Sequence, residues 1–359
     1  MCRVGSVAFF HKPICGRLPV WGEMSTFEHT VFSGMRPSGR LHLGNYLGAL
    51  QNWVTLQEEY RCIYCAVDVH ALTDIQGEAT KEIRPNVQEM VLDWLAAGID
   101  PEKSLIFVQS QVPEVMVLHS LLSMVTPLGW LLRVPSFKDK VRQLDATEET
   151  VSYGLVGYPV LMTSDIVLYK ADTVPVGEDQ LPHLELAREI VRRFNHLYGP
   201  TFPEPQAKLA EYPLIIGLDG KQKMSKSLDN HIELASDEEA TRARVMTAFT
   251  DPERLRRTDP GRPLICNVYA LHKLFNPGKL DDVYQQCTSA QIGCVEDKHL
   301  LADGINNALE VFRERRRELT ERTGYVADVL RDGALRARVI ARETLAEVRD
   351  RMGLSEIVL

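Results

Sequence analysis

The 359-residue sequence has no apolar run long enough to cross a bilayer. Stretches such as Val115–Leu118 stop after a few residues, far short of the roughly 20 that a spanning helix needs. No segment recurs at a fixed period, which excludes solenoids and propellers. Cysteine is scarce and odd in number, at seven residues. In a chain able to build its own core, that excludes a disulfide framework and points to a reducing, cytoplasmic setting. No charge of one sign dominates: the formal net charge is −8, with 25% charged and 45% hydrophobic residues. Such a composition excludes a disordered chain. The glycine signatures GxGxxG and GxxxxGK are absent as well, so the common dinucleotide and P-loop readings fail.

What is present falls into three parts. Residues 1–23 carry Arg3, Lys12 and Arg17 but only one acid, Glu23, and show no periodic apolar face. We expect translation to start at Met24 and residues 1–23 to be a non-native extension. From Val31 to about Tyr198, short apolar strands alternate with helical stretches. The strands are expected at Thr30–Gly34, Cys62–Asp68, Leu105–Gln109 and Thr173–Val176, and the helices at Leu43–Leu56, Ile83–Ala97 and Leu181–Tyr198. This alternation implies an α/β fold with a parallel sheet and right-handed crossovers. From about Asp237 the strand patterns stop and helices follow, with Ile305–Arg322 and Ala334–Met352 the longest. The expected division is therefore 24–235 and 236–359. Seventeen of the 28 arginines lie in the second part. Arginine forks suit phosphate, but glutamates interleave with them, so charge alone favours a solvated helical face.

Two loops carry chemistry. In the first, residues 32–48, a strand ends at Gly34, a Pro37-Ser38-Gly39 turn follows, and a helix begins near His42–Gly44. Helix N-termini attract anions, and Gly44 would let a ligand approach the backbone. A plain strand–turn–helix corner fits the same letters. In the second, three lysines and two serines crowd Gly220–Ser227. Flexible ammonium groups there could follow the charge of a departing pyrophosphate. A solvated lysine-rich turn is the simpler alternative.

Together the two loops resemble one family. His42-Leu-Gly-Asn45 is similar to the His-Ile-Gly-His motif of class I aminoacyl-tRNA synthetases, and Lys223-Met-Ser-Lys-Ser227 matches their second motif. The string Pro37-Ser-Gly…Leu43-Gly-Asn-Tyr-Leu-Gly-Ala49 resembles tryptophanyl-tRNA synthetases of the bacterial and mitochondrial type. So do Asp68-Val-His-Ala-Leu-Thr73, Tyr158-Pro-Val-Leu-Met162, Asp165 and Val174-Pro-Val-Gly-Glu-Asp-Gln180. Met352-Gly-Leu354 extends the likeness almost to the end of the chain.

The resemblance implies a Rossmann-type, doubly wound parallel sheet with a connective insertion. It also implies a C-terminal all-α domain that binds the anticodon and whose last helix packs back on the catalytic domain. An ATP site is implied at Arg36, Pro37, Ser38, Gly44, Asn45, Gly177, Glu178, Asp179 and Leu214, completed by Lys223, Met224, Ser225, Lys226 and Ser227. His42, Lys223, Ser225 and Lys226 take the catalytic positions. Relatives often have glutamine where this chain has Arg36. Phe32, His70 and Gln180 match other positions of the amino-acid pocket.

That pocket can also be read physically. Met162 and Asp165 are three apart on an expected helix and face the same way. Val174 and Val176 share one face of a strand. An apolar slot ending in one carboxylate suits an indole, which is flat and has a single N–H donor. The implied reaction activates L-tryptophan with ATP and transfers it to tRNA(Trp), releasing AMP and diphosphate. Magnesium would arrive with ATP. A homodimer is implied, and no membrane partner.

The cysteines add little. Cys62 and Cys65 have metal spacing but sit inside an apolar strand and read as core. Cys266, Cys287 and Cys294 resemble the cysteines of an iron–sulfur site in some thermophilic members of the family. The fourth position is Asp297, so neither a cluster nor a protein-bound metal is expected. The alternatives are a tyrosyl enzyme of the same architecture, a cofactor adenylyltransferase and a non-catalytic RNA-binding paralogue. The polarity of the pocket, the helical second part, and the presence of His42, Lys223 and Lys226 respectively weigh against them.

Overall fold

The computed structural model describes residues 27–143, 150–209 and 215–354. The expected extension 1–23 and Leu214 lie outside the described residues. Five strands form one sheet: β1 (Thr30–Met35), β2 (Arg61–Ala66), β3 (Ser104–Val108), β4 (Thr173–Val176) and β5 (Gln206–Leu209). Their order is β3-β2-β1-β4-β5, and every pairing is parallel. Side chains alternate across the sheet as the pleat requires. Val31, Cys62, Tyr64 and Ile106 enter one apolar cluster, and Phe32, Ile63, Cys65, Leu105 and Phe107 the other. The parallel α/β sheet expected from the alternation, and the doubly wound order implied by the resemblance, are present.

The helices are α1 (Leu43–Asn45), α2 (Gln51–Leu56), α3 (Asp68–Ala71), α4 (Ile83–Ala97), α5 (Glu114–Ser123), α6 (Leu128–Leu131), α7 (Pro135–Gln143), α8 (Tyr153–Val167) and α9 (Leu181–Tyr198). After them come α10 (Glu238–Met246), α11 (Asn267–Phe275), α12 (Leu280–Thr288), α13 (Cys294–Glu321) and α14 (Tyr325–Arg351). A wider-wound turn, Tyr46–Leu50, joins α1 to α2. None of these helices is long and apolar enough to cross a membrane.

The helices after residue 236 do not build a core of their own. Leu301, Ile305 and Phe312 of α13 join the cluster on one face of the sheet. Ala334, Ala337, Ala341 and Leu345 of α14 join the other. Gly333 lets α14 reach the backbone of β3, where an added Cβ would sit 1.8 Å from the carbonyl oxygen of Ile106.

Several elements differ from expectation. β2 ends at Ala66 rather than Asp68, because Asp68 opens α3 and accepts hydrogen bonds from Val69 N (3.0 Å) and Ser110 N (2.9 Å). β5 was missed because its side chains, Gln206 and Lys208 among them, are mostly exposed on an edge strand and give no apolar alternation. α13 and α14 begin earlier than expected, at Cys294 and Tyr325 rather than Ile305 and Ala334.

The order of strands matters most for function. The chain winds from β1 outward to β3, then returns to β4 on the other side of β1. Ligand crevices open at the carboxyl ends of strands at such a reversal.

Candidate active site

A cleft of about 640 Å³ lies at that reversal. Its walls include Phe32–Arg36 at the end of β1 and Val174–Gly177 at the end of β4. His42, Gly44, Asn45, His70, Met162, Asp165, Asp179, Gln180, Lys223 and Met224 line it as well. Residues expected in the site from five separate stretches therefore share one cavity. Pro37, Ser38, Glu178, Ser225, Lys226 and Ser227 do not line it and lie on the segments that form its rim.

One end is built from the two loops. His42 precedes α1 in an extended conformation; its N–H donates to Asn45 Oδ1 at 3.0 Å, and its carbonyl accepts from Asn45 N. Leu43 N donates to Ile232 O and Leu234 N to Leu41 O, so the first loop is stitched to the segment after the lysine loop. An added Cβ on Gly44 would meet the His42 ring at 3.0 Å and Met224 Cβ at 3.3 Å. A side chain there would separate the loops.

Met224 is buried and anchors the lysine loop, its N–H donating to Ile215 O. Lys226 Nζ donates to Ser38 O at 3.2 Å. Burial, then the neighbouring His231, Lys226 and Lys223, push the His42 imidazole down to about 4, so it is neutral at pH 7. Burial also lowers Lys226. The arginine and lysine side chains that line the cleft are Arg36 and Lys223. Arg36 is ion-paired with Asp74, which lines the same wall.

The other end is apolar with a single buried carboxylate. Phe32 stacks on Tyr169, Val174 is buried, and Met162 stands on α8 one turn before Asp165. Asp165 is 2% exposed. Its Oδ2 lies 2.9 Å from His70 Nε2, and Gln109 Nε2 donates to Oδ1 at 2.9 Å and Oδ2 at 2.8 Å. Along the wall between the two ends, Tyr158 Oη lies 2.5 Å from His183 Nε2 and His183 Nδ1 3.1 Å from Gln180 Oε1. Gln180 in turn donates to Asp179 at 2.8 Å.

Reading the sequence missed several of these groups. Asp74, Gln109 and His183 gave no motif. Asn230 gave none either, though its Oδ1 accepts from Ser225 N at 2.7 Å and its Nδ2 donates to Asp219 at 3.0 Å, fixing the lysine loop from beneath. Gly217 leaves room for that amide: a Cβ would lie 2.2 Å from Asn230 Nδ2.

Among the described residues, no group of three or more His, Cys, Asp or Glu side chains could hold a metal ion. At Cys287 and Cys294 the Arg254 guanidinium approaches both sulfurs, at 3.7 and 3.9 Å. Burial raises the Cys287 thiol to about 11, and Asp297 turns to the buried His272 at 3.1 Å. Cys62 and Cys65 are both buried in β2, on opposite faces of the sheet.

A switch-point cleft with a His-Leu-Gly-Asn corner and a Lys-Met-Ser-Lys-Ser loop at one end defines a class, and the chain belongs to it. It is a member of the class I tRNA synthetases (W and Y), whose family model matches residues 24–310. Within that family it is similar to tryptophan–tRNA ligases. That of Deinococcus radiodurans is 45% identical over 91% of this chain and 99% of its own length. That of Thermotoga maritima is 44% identical over 90% and 99%. Among solved structures, tryptophanyl-tRNA synthetase from Campylobacter jejuni, complexed with ADP and tryptophan, superposes with a TM-score of 0.81 at 34% identity, covering 90% of this chain and all of that one. The resemblance first seen in the motifs is borne out.

Proposed function

We propose that this protein is a tryptophan–tRNA ligase that activates L-tryptophan with ATP and transfers it to tRNA(Trp). The observation that carries this reading is a single cleft with one buried carboxylate, Asp165, at its apolar end and the lysine loop at the other. The indole lies among Phe32, Met162, Val174 and Val176 and gives its N–H to Asp165. Gln180 and His70 orient the amino acid. Gly44, Asn45, Gly177, Glu178 and Asp179 hold adenine and ribose, with Pro37, Ser38 and Arg36 beside the phosphates. Magnesium would arrive with ATP.

The chemistry needs no side-chain nucleophile. The tryptophan carboxylate attacks the α-phosphorus, forming tryptophanyl-adenylate as the bond to pyrophosphate breaks. A terminal ribose hydroxyl of the tRNA then attacks the acyl carbon and AMP leaves. Lys223 and Lys226, with Ser225, stabilise the charge that develops on pyrophosphate. His42, held neutral, contributes hydrogen bonding rather than charge.

Residues 24–235 form the catalytic part and 236–359 bind the anticodon. The functional unit is a homodimer. Support comes from large apolar side chains on neighbouring segments: Met124 just after α5, Leu128 at the start of α6 and Tyr153 at the start of α8 are 75%, 60% and 66% exposed. Large apolar side chains gathered in this way mark interfaces. Free buried thiols at Cys62, Cys65, Cys266 and Cys287 support a cytoplasmic setting. Charging assays with tryptophan and with tyrosine, ATP and transcripts of tRNA(Trp) and tRNA(Tyr) test the reading. Tryptophan on tRNA(Trp) alone is expected, and charging of tRNA(Tyr) with tyrosine would overturn it.

A further inference from the structure

Gln109 begins the short turn that closes β3 and is fully buried. Its carboxamide is fixed at both ends. Oε1 accepts from the backbone N–H groups of Val69 (3.1 Å) and His70 (3.3 Å), in the first turn of α3. Those groups can only donate, so the carbonyl end must face them. The NH₂ end is thereby turned onto Asp165, at 2.9 Å from Oδ1 and 2.8 Å from Oδ2.

An NH₂ group can only donate, so it requires acceptors on Asp165. A carboxylate offers about four lone-pair directions, two on each oxygen. Gln109 takes one on each, and His70 takes the second on Oδ2, at 2.9 Å. One direction on Oδ1 remains, and Asp165 lines the cleft.

We propose that Gln109 is a positioning residue that sets ring specificity: it fixes Asp165 as a carboxylate with one acceptor direction left for a ring N–H. A ring without a donor would then leave that direction buried and unpaired, which is how such a site rejects it. The inference rests on the reading of Asp165 as the indole anchor, and goes beyond it by assigning what makes the anchor selective.

The test compares kcat/KM in pyrophosphate exchange for tryptophan and for the analogue with sulfur in place of the ring N–H. Wild type should prefer tryptophan by about 10- to 150-fold, the range of a hydrogen bond to a charged group. Gln109→Met, similar in size but unable to donate, should lower efficiency for tryptophan and leave the analogue nearly unchanged, so the preference falls by about fivefold or more. Equal losses for both substrates, or an unchanged preference, would overturn the proposal, because a merely structural role moves both alike.

Gln109→Glu guards against misfolding. It keeps the acceptor for Val69 and His70 but sets a second carboxylate against Asp165, so the pair must share a proton. Its preference for tryptophan should be low at pH 8 and recover toward pH 6, as the protonated Glu donates again. His70 and Asp68 on α3, Cys65 on β2, His119 on α5 and Tyr169 after α8 also face this pair. Wild type measured at both pH values cancels their titration. A Gln109→Glu enzyme with wild-type preference at both pH values would overturn the proposal. Wild type that does not prefer tryptophan to the analogue would remove the Asp165 anchor itself, and the role of Gln109 with it.

Discussion

Replacing Gly333 by alanine sets two effects of opposite sign against each other. Gly333 lies in the interior of α14, where alanine is ordinarily favoured over glycine by about 1 kcal/mol. Here the new Cβ would lie 1.8 Å from the Ile106 carbonyl oxygen and 2.7 Å from its carbon. Ordinary contact begins near 3.4 Å, so helix and strand would have to part by about 1.6 Å. Both obstacles are backbone of β3, at the edge of the sheet, which cannot rotate away as a side chain can. Overpacking of this kind costs about 1–3 kcal/mol even where the core yields somewhat. It should lie at or above the top of that range here, leaving a net loss of about 2 kcal/mol after the gain in helix propensity. The assay is urea unfolding of wild type and Gly333→Ala, followed by tryptophan fluorescence and circular dichroism. The variant should also weaken tryptophan binding, because β3 runs directly into Gln109. An unchanged or raised urea midpoint would mean that α14 does not seat against β3 as described.

Lys223→Ala and Lys226→Ala should each slow adenylate formation by about 100-fold, while tryptophan affinity changes by less than about twofold, because the charges act on departing pyrophosphate. Single-turnover kinetics showing an unchanged rate and a raised tryptophan KM would refute this. His42 should titrate near 4 rather than the ordinary 6.5 in the folded protein. Between those values the unfolded chain takes up a proton that the folded one does not, so His42 lowers stability as pH falls through that window and is neutral in effect above it. Proton NMR of the His42 ring with a midpoint near 6.5 would contradict this. Asp74→Asn should free Arg36 and tighten ATP binding; since both side chains are substantially exposed, the gain should stay within about fivefold. Weaker ATP binding in isothermal titration would show that Asp74 helps to present Arg36 rather than holding it away.

How much of this was legible in the sequence depended on distance along the chain. The His-Leu-Gly-Asn corner and the lysine loop were visible because each works within a few residues, through helix start, glycine and charge. Met162 with Asp165, and Val174 with Val176, were visible because helix and strand periods place them together. The partners of those residues were not. Gln109 meets Asp165 across 56 residues and Arg36 meets Asp74 across 38, and no period links such pairs. β5 was hidden for a different reason, as an exposed edge strand that carries polar side chains. Gly333 carries no local signal of the β3 backbone that lies against it, because that contact comes from a strand more than 200 residues earlier, about 1.8 Å from where its Cβ would be.

The most direct test of the central claim is amino-acid-dependent exchange of labelled pyrophosphate into ATP, run with each of the twenty amino acids. Tryptophan should support exchange far above all the others, and Asp165→Ala should lose about 10- to 150-fold of that efficiency, the worth of a hydrogen bond to a charged group. Exchange driven by tyrosine or any other amino acid ahead of tryptophan, or an Asp165→Ala enzyme with wild-type selectivity, would contradict it.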